Sequence, residues 1–254
     1  MKIGVFTGAS SGMGREFAKR ICAEKEFDEV WVIARRLSRL EELKTEIKQP
    51  VRCISLDLTK QESYDTYKAL LEEHNPEVSV LVNAGGYGKF GAFTDISLEE
   101  QLGMIDLNDK ALVAITHITM PYLKSGSEVY QIDSLSSFQP VPYIGVYGAS
   151  KAFVLSFTRA VNAELRHTGI KMMAVCPGWV QTEFFNRAIT DESGITYYNK
   201  FFTSEQVVTR ALKDMKKKKD VSVCGFSIRA QVLLTKLIPH KWVMKIWLRQ
   251  QGKK

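Results

Sequence analysis

The sequence predicts an α/β fold in which a doubly wound parallel sheet carries helices on both faces. Short apolar runs alternate with amphipathic helical patterns along the chain. The apolar runs are continuous, which is typical of strands buried on both faces of a sheet. Helical stretches separate them, as crossover connections between parallel strands require. In such a sheet, ligands bind at the carboxyl ends of the strands.

The elements follow one another without a linker-like segment or an internal repeat, which predicts a single domain. The predicted strands are Lys2–Phe6, Val30–Ala34, Val51–Leu56, Val78–Val82, Glu128–Ile132 and Lys171–Val175. The predicted helices are Gly14–Glu24, Ser38–Ile47, Glu62–His74, Ile105–Leu123 and one that begins near Val146. A later helix begins at Ser204 and runs into Lys216–Lys219, and Val221–Cys224 resembles a strand.

The composition is that of a globular protein with a full core, since 45% of the 254 residues are apolar and 25% are charged. The amino terminus enters a strand at once, which leaves no room for a signal peptide. No run of about 18 apolar residues predicts a membrane-spanning helix. The four cysteines are scattered, so we expect reduced thiols, no metal site and a cytoplasmic location.

The net charge of +7 is concentrated at the carboxyl end. From Lys213 to Lys254 there are twelve Lys and Arg residues against Asp214 and Asp220, a balance of +10. The first 212 residues therefore sum to −3, and nucleic-acid binding by the domain is not indicated.

The first predicted strand is followed by a glycine-rich turn, TGASSGMG, directly before a helix. Glycines at this place permit a tight turn and let a diphosphate approach the backbone N–H groups at the helix amino terminus. A plain turn is the alternative, but the position between strand and helix favours nucleotide binding. The candidate contacts are Thr7, Gly8, Ser10, Ser11, Gly12, Met13 and Gly14.

The second predicted strand ends at Ala34, and two arginines follow. A fold that prefers NAD usually has a carboxylate near this point to hold the ribose hydroxyls, whereas an arginine can hold a 2′-phosphate. With Arg35 and Arg36 here, the sequence favours NADP over the alternative of two solvated arginines.

A tyrosine and a lysine lie four residues apart in YGASK, at the start of the predicted long helix. Tyr147 and Lys151 would share one helix face, and an ammonium beside a phenol lowers the phenol pKa. Such a pair can act as a general acid or base, although the same spacing is also common on exposed helical turns.

These features together resemble the short-chain dehydrogenase/reductase family over roughly residues 1–185. The matching motifs are TGASSGMG, Asp57-Leu58 after the third strand, Asn83-Ala84-Gly85 after the fourth, Tyr147-x-x-x-Lys151, and Pro177-Gly178 with Thr182. The family usually has Asn where this chain has Val82, a minor departure. The resemblance implies a Rossmann-like sheet. From the chain as a whole we expect residues 1–226 to form the dinucleotide-binding catalytic domain and residues 227–254 to be a basic amphipathic extension of the same domain.

The resemblance also implies the role of each site residue. Tyr147 would exchange a proton with the substrate oxygen, Lys151 would hold the nicotinamide ribose and lower the pKa of Tyr147, and Ser134, thirteen residues before the tyrosine, would polarise the carbonyl. Asn108 would hold a water that passes protons to Lys151. The further cofactor contacts implied are Asp57 and Leu58 at the adenine, Asn83, Ala84 and Gly85 beside the adenosine, and Pro177, Gly178, Val180 and Thr182 over the nicotinamide.

The sequence thus predicts an NADP(H)-dependent oxidoreductase that acts on a carbonyl or secondary alcohol. The alternative is a non-catalytic NADP-binding sensor or scaffold. Aromatic residues between Thr182 and Ser204 suggest an apolar pocket for a hydrophobic or amphipathic small molecule, although a core or a subunit interface would use them equally. We expect a homodimer or homotetramer.

The basic amphipathic extension is open to three interpretations. Residues 231–238 and 242–248 are apolar stripes interleaved with basic residues and interrupted at Pro239. Such segments can lie on an anionic membrane surface, against a neighbouring subunit, or over the enzyme's own pocket.

Overall fold

A seven-stranded parallel sheet forms the centre of the computed structural model, which describes residues 1–189 and 194–253. The strands adjoin in the order β3-β2-β1-β4-β5-β6-β9, and every pairing is parallel. A doubly wound parallel sheet is therefore confirmed. The strand bounds are β1 Lys2–Thr7, β2 Glu29–Ala34, β3 Val51–Ser55, β4 Glu77–Asn83, β5 Leu123–Ile132, β6 Lys171–Val175, β7 Trp179–Val180, β8 Phe201–Phe202 and β9 Val221–Ser222.

Ten α-helices are present among the described residues and cover the sheet. Their bounds are α1 Gly12–Glu24, α2 Leu37–Lys44, α3 Gln61–His74, α4 Leu98–Ile105, α5 Ala111–Thr119, α6 Gly145–Glu164, α7 Phe184–Ala188, α8 Ser204–Lys216, α9 Phe226–Leu237 and α10 His240–Gln250. The six predicted strands before residue 176 and most of the predicted helices are present, with small differences at their ends.

The sheet is buried on both faces, as its continuous apolar strands predict. Neighbouring residues of β1 point to opposite sides. Val5 packs with Trp31 and Leu81 in one apolar cluster. Phe6 packs with Val32 and Val82 in the other. Because side chains alternate along a strand, a strand between two apolar layers needs apolar residues at every position.

The predicted helix Ile105–Leu123 is wrong in its extent. A first helix, α4, begins seven residues earlier, where the Ser97 hydroxyl accepts a hydrogen bond from Glu100 N at 3.3 Å and caps the helix. A π-helical turn, Asp106–Lys110, joins α4 to α5. Pro121 lies in a short 3₁₀ turn that ends the helical run, and β5 then begins at Leu123.

The glycine-rich turn brings the end of β1 against the start of α1. Gly8 has a φ of +64°, and a Cβ there would lie 2.6 Å from Ala84 in the loop after β4. A Cβ on Gly14 would collide with the Gly8 carbonyl oxygen. Both glycines are therefore required by close backbone approach, in addition to the positive φ at Gly8.

The carboxyl end of the chain forms α8, the edge strand β9 and the two helices α9 and α10. Thr203 and Gln206 form a capping box at the start of α8, where a helix is predicted. The tail helices are separated at Ile238-Pro239, as the interrupted apolar pattern predicts. No helix within residues 1–189 and 194–253 is long and apolar enough to span a membrane.

Replacing Gly14 by alanine is expected to destabilise the protein. The added Cβ must displace the turn backbone, and overpacking of this kind costs about 1–3 kcal/mol. Gly145 is a matched control, because it also lies in the first turn of a helix and a Cβ there meets no atom within 4 Å. Thermal unfolding should show a lower Tm for Gly14→Ala and an unchanged or higher Tm for Gly145→Ala. Equal Tm values for the two variants would contradict the close-approach argument.

Candidate active site

The candidate residues converge at the carboxyl edge of the sheet. The segments that follow β1, β4, β5 and β6 contain the glycine-rich turn, Asn83–Gly85, Ser134 and Pro177-Gly178. Parallel strands end at the same edge, so segments that are distant in the chain become neighbours. The Leu135 N–H donates to the Pro177 carbonyl oxygen at 2.8 Å, which ties the segments after β5 and β6 together.

Lys151 is buried beneath this edge, with 5% of its surface exposed. Its Nζ donates to the Ile132 carbonyl oxygen at 2.9 Å, at the end of β5. The same Nζ lies 5.9 Å from the centroid of the Tyr147 ring. The predicted side-by-side arrangement of Tyr147 and Lys151 on one helix is therefore present, and the pair faces inward.

Asn108 lies in the π-helical turn and is fully buried. Its Oδ1 accepts from Tyr87 N at 3.0 Å, and its Nδ2 donates to Tyr87 O at 2.9 Å and to Ser150 Oγ at 3.0 Å. A Cβ on Gly86 would lie 3.0 Å from Asn108 Oδ1 and 3.6 Å from Lys151 Nζ. Because Gly86 has no side chain, Asn108 and Lys151 can both approach its Cα. Asn108 lies in a π-helical distortion, and such distortions often occur at functional sites.

Ser134 and Tyr147 line the same cavity, whose volume is about 390 Å³. The Ser134 hydroxyl oxygen accepts from Ser136 N at 3.2 Å, which fixes the turn after β5. Ser137 Oγ donates to the Ser134 carbonyl oxygen at 2.6 Å, so the Ser137 hydroxyl proton is used within the turn. Ser136 also lines the cavity, whereas Ser137 does not. Of the two neighbouring serines, Ser137 is therefore the one that the structure disfavours for the role assigned to Ser134.

The pKa of Tyr147 is raised, contrary to the expectation from its lysine neighbour. Burial is the main cause; a hydrogen bond with Ser134 opposes it, and the negative charge of Asp133 adds to it. The pKa of Lys151 is itself lowered by burial, while the charges of Asp133 and Asp109 oppose that change. The sequence shows the i,i+4 spacing of the pair but not how deeply the two side chains are buried. Burial decides the direction of both pKa shifts.

Asp133 is a residue of the site that the sequence reasoning missed. It is 2% exposed at the end of β5, and its Oδ2 accepts from the Cys176 thiol at 3.1 Å. Its Oδ1 has no hydrogen-bond partner among the described residues. Burial raises the pKa of Asp133 to about 7, and Lys151 opposes that rise. A charged residue at the end of a buried strand, beside the candidate serine, was the signal available in the sequence.

Asp109 is a second carboxylate that acts on Lys151. It follows Asn108 in the π-helical turn, and burial raises its pKa to about 7 against the charge of Lys151. The charges of Asp133 and Asp109 both raise the pKa of Lys151 against the effect of burial. Of the two, only Asp133 contributes to the raised pKa of Tyr147.

The amino terminus of α1 is suited to an anionic group. Ser11 precedes the helix without capping it through its side chain, and the first turn contains no acidic residue. Its N–H groups therefore remain available to a phosphate. Nearby, Thr7 Oγ1 accepts from Ala84 N at 3.1 Å and Gly85 N at 3.3 Å, which joins the turn to the loop after β4. These groups fit the diphosphate of a dinucleotide.

Arg36 lies over the glycine-rich turn. Its guanidinium donates to Ser10 Oγ at 3.2 Å and to Ser11 Oγ at 3.0 Å. It also pairs with the Glu183 carboxylate at 2.8 Å, and this hydrogen bond lowers the pKa of Glu183. Glu183 lies in the segment after β7 and is not among the predicted cofactor contacts. Its carboxylate would therefore compete with a cofactor phosphate for the Arg36 guanidinium.

The remaining predicted cofactor contacts lie around this edge. Asn83 Nδ2 donates to Thr116 Oγ1 at 3.0 Å, which links β4 to α5. Asp57 Oδ1 accepts from Thr59 N at 3.1 Å in its own turn, and Leu58 beside it is buried. Arg35 is exposed, and its charge lowers the pKa of Asp57 together with the hydrogen bonds from Thr59. Four predicted nicotinamide contacts line the cavity that Met13 also lines, namely Pro177, Gly178, Val180 and Thr182.

The loop from Gly86 to Phe93 lies beside Tyr147. A Cβ on Gly88 would lie 2.9 Å from both the Tyr147 and Phe184 rings, and the Phe90 ring centroid lies 6.1 Å from that of Tyr147. The predicted aromatic segment between Thr182 and Ser204 lines the cavity through Phe184, Phe185 and Tyr197. Residues 190–193 of that segment lie outside the described residues.

The tail covers its own cavity. Gln231, Leu234 and Thr235 from α9 line it, as do Val243, Ile246, Trp247 and Gln250 from α10. Trp247 Nε1 donates to the Pro142 carbonyl oxygen at 3.0 Å, and Gln251 Oε1 accepts from Thr196 N at 2.8 Å. One of the three interpretations of the tail is therefore realised. Within the described part of the chain, no group of three or more His, Cys, Asp or Glu residues could hold a metal ion.

Comparison with known proteins places these features in a family. A profile of the short chain dehydrogenase family matches residues 2–193. Sulfoacetaldehyde reductase 2 of Chromohalobacter salexigens is 36% identical over 189 residues, which cover 71% of this chain and 73% of that protein. An uncharacterized oxidoreductase of Staphylococcus epidermidis is 31% identical over 183 residues, 71% of this chain and 79% of that protein.

A solved structure shows the same fold. The short-chain dehydrogenase from Sphingobium yanoikuyae in complex with NADPH superposes with a TM-score of 0.79 at 26% identity, covering 93% of this chain and 94% of that one. The parallel sheet, the glycine-rich turn at its edge and these matches lead to one conclusion: the chain belongs to the short-chain dehydrogenase family, whose members are oxidoreductases.

Proposed function

We propose that this protein is an NADP(H)-dependent oxidoreductase that interconverts a hydrophobic carbonyl compound and its secondary alcohol. The observation that carries this proposal is the shared cavity of Ser134 and Tyr147, which borders the segment from Pro177 to Thr182. Two hydroxyl groups converge there, and one of them belongs to the helix that also carries the buried Lys151. Such an arrangement can polarise a carbonyl oxygen and deliver a proton to it while a hydride is transferred to the carbonyl carbon.

The residues would act on the oxygen of the substrate. Bound NADPH would supply the hydride to the carbonyl carbon. The Ser134 hydroxyl would donate a hydrogen bond to the carbonyl oxygen and stabilise the negative charge that develops there. Tyr147 would deliver its proton to that oxygen, and the positive charge of Lys151 would stabilise the resulting phenolate. Asn108 would hold a water near Lys151, next to the space that Gly86 leaves open.

NADP is favoured over NAD by the charge around the second strand. Ala34 ends β2, so no carboxylate stands where NAD-binding folds use one. Arg36 faces two hydroxyls of the glycine-rich turn, and Arg35 adds a second exposed cation. The related Sphingobium enzyme was solved with NADPH, which agrees with this choice.

The cavity favours an apolar substrate. Aromatic rings from Phe90, Phe184 and Phe185 form one side, and aliphatic side chains from the two tail helices form the other. A small charged aldehyde such as the one named for the Chromohalobacter relative would leave most of this surface without contact. A panel of ketones and aldehydes that differ in size and charge would establish the substrate class.

The alternative function, a non-catalytic NADP-binding sensor or scaffold, is disfavoured by the completeness of the site. Its four catalytic candidates are all present, and three of them are buried: Asn108, Tyr147 and Lys151. The homo-oligomer stays a prediction; α4 exposes Leu98, Leu102 and Ile105, where a second copy would pack. A cytoplasmic location also stays a prediction, and the four free thiols agree with it.

Replacing Tyr147 by phenylalanine should abolish turnover while leaving NADPH binding intact. The variant loses only the hydroxyl, and a general acid contributes roughly 10²–10⁴-fold to the rate. The decrease of NADPH absorbance with a ketone measures turnover, and quenching of tryptophan fluorescence measures binding. Loss of both properties, or of neither, would contradict the assigned role.

Replacing Arg36 by glutamine should weaken NADPH binding and spare NADH. Charge-assisted hydrogen bonds contribute about 1.5–3 kcal/mol, so KM for NADPH should rise about 10- to 100-fold. Glu183→Gln removes the competing carboxylate and should lower KM for NADPH. If Arg36→Gln changed KM for NADPH and KM for NADH by the same factor, the proposed contact between Arg36 and the 2′-phosphate would be refuted.

Replacing Asp133 by asparagine should move the pH profile of alcohol oxidation. Tyr147 must be ionised to accept the alcohol proton, so its pKa sets the acid limb of kcat/KM. The Asp133 charge raises that pKa, and its removal should shift the limb to lower pH. Asparagine retains an oxygen that can accept from the Cys176 thiol.

Asp109→Asn is the matched control for this profile. Asp109 acts on Lys151 without being a cause of the Tyr147 shift, so its replacement should leave the acid limb in place. Profiles of kcat/KM between about pH 6 and 10 separate the two cases. Equal shifts for both variants would show that Asp133 has no specific effect on Tyr147.

A further inference from the structure

We infer that the outer face of the two tail helices docks on an anionic lipid surface, from which an apolar substrate enters the cavity. The outer face comprises Phe226, Leu233, Leu234, Leu237, Trp242 and Ile246, whose side chains are between 48% and 81% exposed. The docking does not depend on the reaction. The entry of a substrate rests on the proposed function.

Helix α9 is apolar on two opposite sides. Ile228 and Val232 are buried and belong to the main core. Leu233 and Leu237 lie on the other side and are 62% and 75% exposed. A helix that is apolar on two opposite sides normally lies between two apolar environments, and the described residues 1–189 and 194–253 supply one of them. Contiguous exposed side chains of this kind mark an interaction surface.

Helix α10 also exposes apolar side chains, one of them aromatic. Val243 is buried, whereas Trp242 and Ile246 are exposed. Lys245 Nζ lies 5.7 Å from the centroid of the Trp242 ring. A tryptophan next to a lysine suits the boundary between lipid headgroups and acyl chains, where the ring is partly apolar and the ammonium remains hydrated.

The charge of this part of the chain selects the partner. From Val221 to Lys254 there are seven Lys and Arg residues and no Asp or Glu. The charge of this segment, +7, is therefore as large as the net charge of the whole chain. Such a segment is attracted to anionic lipids. A symmetric contact with a second copy would bring two such segments together, and like charges oppose that contact. Charge complementarity therefore favours a lipid surface over a second copy.

The helices are short enough to lie within the surface. Helix α9 has 12 residues and α10 has 11, whereas a spanning helix needs about 20. Apolar side chains with interspersed basic residues are typical of helices that rest in the headgroup region. The protein would therefore bind one leaflet from the water side.

The cavity reaches the outer face at two residues. Leu234 and Ile246 line the cavity and are also 52% and 48% exposed. One layer of side chains therefore separates the cavity from the docked surface. An apolar carbonyl compound dissolved in the lipid could pass between α9 and α10 to Ser134 and Tyr147 without entering water.

Vesicle flotation with the full-length protein tests the docking. Wild type is mixed with phosphatidylcholine vesicles that contain about 30% phosphatidylserine, and with vesicles of phosphatidylcholine alone. We expect flotation only with the anionic vesicles and a large decrease at high NaCl concentration, because salt screens the attraction. No flotation, or equal flotation with both compositions, would overturn the inference.

Paired variants locate the docking surface. Leu233→Ser with Leu237→Ser changes the outer face without changing a residue that lines the cavity, and should reduce vesicle binding at least about tenfold. Leu37→Ser with Phe93→Ser removes two exposed apolar side chains outside the tail and outside α4, and should leave binding unchanged. Circular dichroism confirms that both proteins are folded. Equal binding by the two double variants, or conversion of a wild-type dimer to a monomer only by the tail variant, would overturn the lipid assignment.

Activity measurements separate this inference from the proposed function. A long-chain ketone dissolved in the anionic vesicles should be reduced at least about tenfold more slowly by the tail variant than by wild type. A short water-soluble ketone should be reduced equally by both. Equal rates with the vesicle-dissolved ketone would refute entry from the lipid. Vesicle binding without reduction of any carbonyl would refute the proposed function and leave the docking established.

Discussion

The ammonium group of Lys151 is buried, and much of the site is arranged around this charge. Burying a cation is costly unless hydrogen bonds and opposite charges offset the loss of water. Here the Ile132 carbonyl oxygen accepts from it at the end of β5, and Asp133 and Asp109 oppose the lowering of its pKa. Those contacts come from two separate segments, the end of β5 and the π-helical turn, and both must lie against α6 to offset the burial of the lysine.

The two carboxylates give the site an electrostatic balance that the tyrosine and lysine alone would not have. Asp133 favours the charged form of Lys151 and disfavours the phenolate of Tyr147. Burial and this charge therefore both favour the neutral form of Tyr147. A positively charged nicotinamide bound beside the tyrosine would favour the phenolate instead.

The candidate cofactor contacts and one side of the cavity come from different parts of the chain. The glycine-rich turn, the loop after β4 and the segment after β6 lie within the residues that the family profile matches, 2–193. One side of the cavity is built by α9 and α10, which lie beyond those residues. The four catalytic candidates also lie within the residues that the family profile matches. The cavity itself is lined by residues of both parts, with Phe90 and Phe184 from the matched residues and Leu234 and Ile246 from the two tail helices.

The sequence by itself determined the sheet, because continuous apolar strands and helical periodicity are local patterns. It also indicated the glycine-rich turn, Ser134 and the Tyr147–Lys151 pair, because their spacing along the chain reflects the geometry of one turn or one helix. It did not reveal Asp133 as part of the site, the start of α4 or the position of the tail. Those depend on which segments meet in space and on how deeply each group is buried. The tertiary structure alone decided the direction of the pKa shift of Tyr147 and placed α9 and α10 over the cavity, because burial and contact are properties of the packed chain.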